Sequence, residues 1–516
     1  MRHVAAALIF LAAISLFAFP PQPAKDVVRI GSGLISGQTD SQGVASYLGI
    51  PFAAPPVGEL RWHAPRPVSP WKGVRPADRF GASCMQDEVG VHLPWTRAFM
   101  THGPISEDCL YVNVWTTARA GKEKLPVMVF IYGGGFGVGS GSAAAYNGEN
   151  LARDGVVAVT FNYRLGALGF LAYPGLTKES AHHSSGNYGL LDQIAALKWV
   201  HANIGAFGGD PAKVTIFGQS AGAISVGYLM ASPLAKGLFV RAIADSGLGL
   251  FPGSLSGHLG PPLAHAEQVG INYAESVGAH SLAELRAMPA AKFATSFPGE
   301  GPAPGGPDVD NWVVPEVAPA HEVSLLDGTV TGDTVFTSGF GWVPPRTVAA
   351  YQRTVEKIYG PMAAEFSKLY PARRDGDIPA AVRAGGVDRD RVSMYLWAAG
   401  QAKRSPRIYT YYFHHPIPWP QHPEFGTFHS SELPYIFQTL RAMNRPWKPV
   451  DFRISRVLSS YWTNFAKTGN PNGPNLPHWP EYNPASRTTM GLGAHMGPMP
   501  VAGPVGFDFF VKYFHK

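Results

Sequence analysis

The pentapeptide Gly218-Gln219-Ser220-Ala221-Gly222 restricts the fold of this 516-residue chain more than any other segment. An apolar run at 214–217 precedes it, and a mostly apolar stretch at 223–230 follows it. This order predicts a strand, a sharp turn and a helix, with Ser220 exposed at the apex of the turn. Glycine on either side lets neighbouring backbone pass close to such a strained turn. With 59 glycines in the chain the bare pattern could be an ordinary turn, but its context indicates a nucleophilic serine.

A second glycine-rich segment follows the apolar run 126–132, which predicts a buried strand and leads directly into three glycines at 133–135. Successive glycines weaken regular structure and suit a loop whose N–H groups approach a ligand closely. Acyl transfer needs such donors where negative charge develops on the carbonyl oxygen. We therefore predict an oxyanion hole made of the N–H groups of Gly134, Gly135 and Ala221. The alternative is a flexible glycine loop, which the further glycines downstream would also suit.

The candidate base is His429, one of 18 histidines. It lies far downstream of the serine, in a polar turn between apolar stretches, and the order serine then histidine is the one that α/β-hydrolases use. The pairs His182-His183 and His414-His415 are rivals. Neither pair has histidine or cysteine partners at metal-binding spacing, so we interpret both as surface or packing residues.

These motifs, together with others along the chain, resemble the type-B carboxylesterase (cholinesterase-like) family of α/β-hydrolases. The matches run from about residue 28 to about residue 512. Further matching segments are 49–58, 107–114, 162–166, 186–193, 207–211 and 461–466. The resemblance implies hydrolysis of a small-molecule carboxylic ester by a Ser–His–Glu triad with a three-donor oxyanion hole. The reaction passes through an acyl-enzyme and needs neither a metal nor an organic cofactor.

The triad acid is where the chain departs from the family. The family places a glutamate in an Asp-Glu-Gly loop, which would fall near residues 330–345, but Asp333 is the one carboxylate in that window. We predict Asp333 as the acid, although it could be an ordinary turn residue, and an aspartate needs a closer approach to the histidine. Glu322 and Asp327 lie just upstream as alternatives. Glu432 follows the histidine by three residues, and the resemblance implies a supporting hydrogen-bond role for it.

The N-terminus combines a short charged start with an apolar run at 4–19 that ends in prolines. This pattern predicts a signal peptide over about residues 1–24 and a mature domain over 25–516. The alternative is a membrane anchor, for which the run is short. We therefore expect a secreted or periplasmic protein with no stable membrane span after processing.

The chain has two cysteines, Cys84 and Cys109. After export, an even count suggests a disulfide bridge. The resemblance implies the same pairing, because these positions match the first disulfide of the family. The loop between them often borders the active-site gorge there, so His92, Trp95 and Phe99 could line the pocket or simply pack within the loop.

The order of apolar runs predicts an α/β fold with a doubly wound, mostly parallel sheet. Strands are predicted at 110–115, 126–132, 156–162, 214–217 and 240–245, and helices at 189–204, 221–231 and 264–273. Ligands bind at the carboxyl ends of such strands, where Ser220 falls. Residues 250–420 are predicted to form lid-like insertions over the site.

Charge excludes a nucleic-acid partner, because the net charge of +6 is small for this length and the charged stretches mix both signs. Two alternatives to the esterase stay open. One is a non-catalytic binding protein on the same fold, which the missing glutamate keeps in consideration. The other is an amidase, lactonase or thioesterase, which would use the same site residues.

Overall fold

The computed structural model describes residues 26–87, 92–101, 103–119, 122–250, 260–295, 305–316, 322–333 and 345–515. The signal peptide predicted at 1–24 lies outside these residues. The strands are β1 (Val27–Ile30), β2 (Gly33–Ser36), β3 (Gln38–Thr39), β4 (Ala45–Pro51), β5 (Val74–Pro76), β6 (Tyr111–Thr116), β7 (Leu125–Ile131), β8 (Val157–Phe161), β9 (Gly209–Gln219), β10 (Arg241–Asp245), β11 (Ser324–Val330), β12 (Ile408–Phe413), β13 (Thr488–Leu492) and β14 (Gly497–Pro500).

The α-helices connect these strands and cover the sheet. They are α1 (Glu149–Arg153), α2 (Gly166–Phe170), α3 (Pro174–Glu179), α4 (Tyr188–Asn203), α5 (Ala221–Ala231), α6 (Leu263–Ser276), α7 (Leu282–Ala287), α8 (Val348–Tyr359), α9 (Ala363–Leu369), α10 (Ile378–Gln401), α11 (Leu433–Ile436), α12 (Pro449–Thr468) and α13 (Pro504–Phe514). Short 3₁₀ helices lie at Gly58–Leu60, Arg97–Phe99, Ala144–Tyr146, Ile204–Phe207, Pro233–Ala235, Ala290–Phe293, Thr331–Asp333, Gly360–Met362, Asp375–Asp377 and Leu440–Ala442.

The central sheet has the strand order β14-β13-β12-β11-β10-β9-β7-β8-β6-β4-β3 in the described residues. Every neighbouring pair from β8 through β7, β9, β10, β11 and β12 to β13 is parallel, and antiparallel pairs lie only toward the two edges. The predicted α/β class is therefore confirmed. Strands β1, β2 and β5 form a separate small sheet.

The strands and helices predicted from the sequence agree with the structure to within one or two residues at most ends. Helix α5 has the predicted bounds, and β7 and β8 are nearly as predicted. The largest difference is at β9, which begins at Gly209 rather than at 214, because an irregular register brings Gly209 opposite Leu125 before regular pairing begins. Helix α6 ends at Ser276, three residues later than predicted. Helices on both faces explain the mostly apolar sequence of β8, in which every residue is buried.

The buried apolar residues form two separate clusters among the described residues. The larger one lies on both faces of the central sheet. The smaller one joins helices α8, α9, α10 and α13 through aromatic side chains such as Tyr359, Phe366 and Phe510. The segment 250–420 supplies most of these helices, but it also supplies β11 and β12. A lid role for this segment stays a prediction.

Cys84 and Cys109 form the predicted disulfide bridge, which closes a loop with a sequence separation of 25 residues. Within the described ranges, no helix has both the length and the apolar character that crossing a membrane requires.

Candidate active site

Ser220 lies at the turn between β9 and α5 with φ 58° and ψ −125°, a conformation that a residue with a side chain rarely adopts. Backbone hydrogen bonds hold it there. The N–H of Ser220 donates to the carbonyl of Asp245 on the neighbouring strand β10 over 3.0 Å, and its carbonyl accepts from Ile224 in α5 over 2.9 Å. The strand, strained turn and helix predicted from the pentapeptide are therefore present.

The two glycines of the pentapeptide are required by close backbone contacts. A Cβ on Gly222 would lie 1.9 Å from the carbonyl oxygen of Ile131, at the end of β7. A Cβ on Gly218 would lie 2.4 Å from the carbonyl oxygen of Gly222. Since real Cβ atoms do not approach this closely, only glycine allows the helix to start directly against the strand.

The glycine loop after β7 packs against the serine. A Cβ on Gly133 would lie 2.9 Å from the Cβ of Ser220. Gly134 and Gly135 both have positive φ, at 107° and 60°, so the loop needs glycine for its conformation as well as for the close approach. Ala221 is the first residue of α5, where N–H groups lack partners within the helix. The three predicted oxyanion donors thus lie in segments that adjoin Ser220.

His429 and Asp333 form a buried pair. The Nδ1 atom of His429 lies 2.6 Å from Oδ1 of Asp333. The side chain of His429 is 5% exposed and that of Asp333 is fully buried. The second carboxylate oxygen of Asp333 accepts a hydrogen bond from the N–H of Val330 over 2.8 Å. Ionised partners make short hydrogen bonds of this kind strong, so the orientation of the ring is well fixed.

The topology explains why these two residues meet although 96 positions separate them. Asp333 follows β11 and His429 lies in the segment between β12 and α11, and β11 and β12 are parallel neighbours. Gly332 lets the two segments touch, because a Cβ there would lie 2.4 Å from the carbonyl oxygen of Thr427. The close approach that an aspartate requires is therefore made possible by the preceding glycine.

The alternative acids do not contact the ring. Glu322 is exposed, two residues before β11. Asp327 lies within β11 and is fully buried, and this burial, together with the charge of Asp245, raises its pKa well above the usual range. The structure brings Asp333, rather than either of these two carboxyls, to His429.

Glu432 is fully buried near the pair, but neither of its carboxyl oxygens makes a hydrogen bond within the described part of the chain. Burial raises its pKa well above the usual range, and the charges of Asp245 and Asp333 add to this shift. The hydrogen bond predicted for Glu432 is thus not formed by the described residues, and a supporting role stays a prediction. Burial also raises the pKa of Asp245 to about 7, although Tyr411 donates a hydrogen bond to it over 2.7 Å.

Gln219, the residue before the serine, was not singled out from the sequence, yet it contacts His429. Its amide nitrogen lies 3.0 Å from Nε2 of the imidazole. Its amide oxygen accepts a hydrogen bond from the hydroxyl of Ser430 over 2.9 Å, and that hydroxyl lies 3.3 Å from the indole nitrogen of Trp95. The position of Gln219 within the pentapeptide, next to the serine, was the sequence feature that could have identified it as a site residue. Trp95 connects the disulfide loop to this network.

The other aromatic residues of the disulfide loop pack within it and against the histidine segment. His92 stacks on Trp95 with ring centroids 6.3 Å apart. Phe99 is 6% exposed and contacts Phe428 and Tyr146, so the structure places it in packing rather than on an open surface.

The rival histidines have partners of their own. His182 stacks on Trp312 at 3.9 Å between centroids, and Nε2 of His415 lies 2.8 Å from the carboxylate of Asp451. Both arrangements agree with the packing or surface role expected from the sequence.

A mostly parallel sheet that carries a serine on a strained strand–helix turn, with a buried His–Asp pair after two neighbouring strands, defines an α/β-hydrolase. The sequence matches the model of the carboxylesterase family over residues 24–356 and 391–501, so the chain belongs to that family. It is a carboxylic ester hydrolase, since its relatives are named esterases.

Three relatives illustrate the range of the family. The chain is 37% identical to a fumonisin B1 esterase of Sphingopyxis macrogoltabida, over 87% of this chain and 83% of that protein. It is 34% identical to a human cocaine esterase, over 88% and 85% of the two chains. It is 34% identical to a para-nitrobenzyl esterase of Bacillus subtilis, over 91% and 95%. These names favour an enzyme over the non-catalytic binding protein that was considered from the sequence.

Proposed function

We propose that this protein is an exported serine carboxylesterase with Ser220 as nucleophile, His429 as general base and Asp333 as the triad acid. The observation that carries the proposal is the 2.6 Å contact between the buried His429 and Asp333. The same ring contacts Gln219, the residue next to the strained serine. Strained backbone of this kind persists where it serves a function, which supports Ser220 as the reacting residue.

The geometry supports a division of roles between the two ring nitrogens. The carboxylate of Asp333 accepts the Nδ1–H of His429, which leaves a lone pair on Nε2. That lone pair takes the proton of Ser220 as the serine oxygen attacks the ester carbonyl. The resulting imidazolium, stabilised by Asp333, then gives the proton to the leaving alcohol. Water repeats the sequence on the acyl-enzyme and releases the acid.

The charge on the attacked carbonyl oxygen has three backbone donors nearby. We assign them to the N–H groups of Gly134, Gly135 and Ala221, which lie in the two segments that adjoin the serine. Backbone donors that are already in place need no reorganisation as the charge develops, and loss of a single donor in such a site costs about 10²–10³ in kcat.

Export is supported by the predicted signal peptide at 1–24 and by the bridge between Cys84 and Cys109. Disulfides persist in oxidising compartments and are rare in the cytosol. Expression of the full chain with fractionation and N-terminal sequencing tests this point. A processed N-terminus near residue 25 in the periplasm or medium is expected, whereas an intact Met1 in the cytosol would contradict export.

The reaction is tested with a series of p-nitrophenyl esters of increasing acyl length. We expect turnover by the wild type and loss of turnover in Ser220→Ala. Ser225→Ala is the matched control, because Ser225 is a buried serine on the same helix and bonds to Gln193 instead of the ring. Mass spectrometry after treatment with a fluorophosphonate should locate the label on Ser220. Retained turnover in Ser220→Ala would contradict the assignment.

The panel should also include thioesters, lactones and anilides, because an acyl-enzyme mechanism accepts these three substrate classes as well as the p-nitrophenyl esters. A relative from Anas platyrhynchos, 35% identical to this chain, is named a medium-chain fatty acyl-CoA hydrolase. This name is a specific reason to include thioesters in the panel. A kcat/KM for thioesters far above that for the matched oxygen esters would make the thioesterase the better description.

A further inference from the structure

A continuous chain of hydrogen bonds leads from the disulfide loop to the candidate triad acid. It runs from the indole N–H of Trp95 to the hydroxyl of Ser430 over 3.3 Å, and from there to the amide oxygen of Gln219 over 2.9 Å. The amide nitrogen of Gln219 lies 3.0 Å from Nε2 of His429, and Nδ1 of the same ring lies 2.6 Å from Asp333.

The direction of every bond in this chain is fixed from both ends. An indole nitrogen can only donate, so the hydroxyl of Ser430 accepts from Trp95 and uses its own hydrogen toward Gln219. At the other end, an ionised Asp333 can only accept, so a neutral imidazole carries its hydrogen on Nδ1 and has an acceptor at Nε2. The amide of Gln219 satisfies both neighbours in one orientation, with its oxygen toward Ser430 and its NH₂ toward the ring.

In this orientation, Gln219 competes with Ser220 for the Nε2 lone pair of His429. The Nε2 lone pair that must take the proton of Ser220 is engaged by an amide N–H. When Nε2 becomes protonated, two N–H groups would face each other over the same short distance, which is unfavourable. The amide must then turn away, or rotate so that its oxygen faces the imidazolium, and rotation breaks the bond from Ser430.

We propose that Gln219 is a positioning residue that holds the ring of His429 in a neutral resting state and has to be displaced for proton transfer from Ser220. The proposal rests on the function assigned above, because the base role of the ring is part of that assignment. The amide acts through the imidazole, by its contact with Nε2. Ser430 and Trp95 set how firmly the amide is held.

Among the described residues, Asp333 contacts the ring directly, and the buried residues Glu432, Asp245 and Tyr411 lie around that carboxylate. His92 stacks on Trp95, at the far end of the hydrogen-bond chain. A substitution at residue 219 leaves all of these titratable groups in the protein. A change in pH dependence caused by a substitution at residue 219 therefore reports on the amide itself.

The test compares the pH profile of kcat/KM for the wild type, Gln219→Met and Gln219→Glu. A methionine removes the donor at similar volume, and a glutamate accepts a hydrogen bond from the imidazolium. We expect the acidic limb of the profile to move to higher pH in both variants, by about one unit or more for the glutamate and by less for the methionine. The plateau of kcat/KM in Gln219→Met should equal or exceed that of the wild type.

Gln193→Met is the matched control, because Gln193 is an equally buried glutamine that donates to Ser225 and does not contact the ring. Its acidic limb should coincide with that of the wild type. An unchanged limb in both Gln219 variants, or a shift to lower pH, would overturn the proposal. If a Gln219 variant does not fold, Ser430→Ala frees the amide oxygen and should move the limb in the same direction.

A second measurement does not depend on turnover. Nitrogen-15 NMR of labelled histidine, with the signal of residue 429 assigned by its loss in His429→Asn, follows protonation of the ring directly. A higher titration midpoint in Gln219→Met than in the wild type supports the proposal even if no ester is turned over, and an identical midpoint contradicts it. Absence of ester turnover by a folded wild type would contradict only the proposed function.

Discussion

The substitution Asp333→Asn tests the candidate triad most directly, because the structure predicts how the new amide will be oriented. The N–H of Val330 donates to Oδ2 of Asp333 over 2.8 Å, while Oδ1 lies 2.6 Å from Nδ1 of His429. An asparagine has one oxygen and one NH₂ group for these two positions. The N–H of Val330 cannot act as an acceptor, so it retains the oxygen and the NH₂ group faces the imidazole.

The orientation of the amide decides the tautomer of the ring. With an NH₂ donor opposite Nδ1, that nitrogen must accept, and the hydrogen moves to Nε2, where the base needs a lone pair. In a serine protease, a substitution that leaves the wrong tautomer in this way lowers kcat by about 10⁴. At 1.36 kcal/mol for each factor of ten, the loss of transition-state stabilisation is about 5.5 kcal/mol. We expect a loss of this size in Asp333→Asn.

The assay is kcat/KM on a p-nitrophenyl ester, measured together with the thermal midpoint of each variant. Asp327→Asn is the matched control, since Asp327 lies six residues earlier, is fully buried and is held neutral by the same burial that raises its pKa. An asparagine there replaces a neutral acid, so activity should stay within about tenfold of the wild type. Activity of a folded Asp333→Asn within tenfold of the wild type would refute the tautomer argument.

Three further predictions concern stability. Burial raises the folded-state pKa of Asp245 from 3.8 to about 7, so its contribution to stability is complete below about pH 4 and is lost as pH rises to 7. Between pH 4 and 7, the free energy of unfolding in urea should therefore fall less for Asp245→Asn than for the wild type. Parallel curves of unfolding free energy against pH would contradict this. Replacement of both Cys84 and Cys109 by serine should lower the free energy of unfolding by about 3–4 kcal/mol, the chain-entropy value for the 25-residue loop, and an unchanged denaturation midpoint would show that the bridge contributes nothing. Gly222→Ala should prevent correct folding, because its Cβ would lie 1.9 Å from a backbone oxygen. Expression and the thermal midpoint test this. Gly205→Ala is the control and should be tolerated, because a Cβ there has nothing within 4 Å.

The sequence predicted the central part of the sheet well because its strands are buried on both faces. Runs such as β7 and β8 are mostly apolar and are followed within two residues by glycine or a polar residue, so their limits are visible without a structure. Ser220 could be found for a related reason. Its strained turn requires glycine at fixed positions on both sides, so the motif is visible within five consecutive residues.

Asp333 could be proposed only by elimination, and the reason lies in its neighbour. The contact between Gly332 and Thr427 allows the shorter acid to reach the ring, and residues so far apart in the chain show no sign of that contact in the sequence. The same limit applies to the chain through Gln219, since the bond from Trp95 to Ser430 joins residues 335 positions apart.

The burial of the carboxyls was not predicted, because burial is not visible in single residues. Asp327 lies in the middle of β11, and Asp245 ends β10. Both resemble ordinary polar positions in the sequence. Their raised pKa values arise from the surrounding core, which only the folded chain creates.

The order of the proposed site residues along the chain sets the earliest point in synthesis at which the site can be complete. Strand β7 is complete before β9, so the turn with Ser220 can dock on finished structure, while Asp333 and His429 follow strands that are made later. Gln219 and His429 are 210 residues apart. At about 5–20 residues per second, the ribosome needs roughly 10–40 s to cover that distance. On the proposed assignment, the nucleophile is made roughly 10–40 s before its base, and a chain terminated before residue 429 is expected to be inert toward the esters of the cell that makes it.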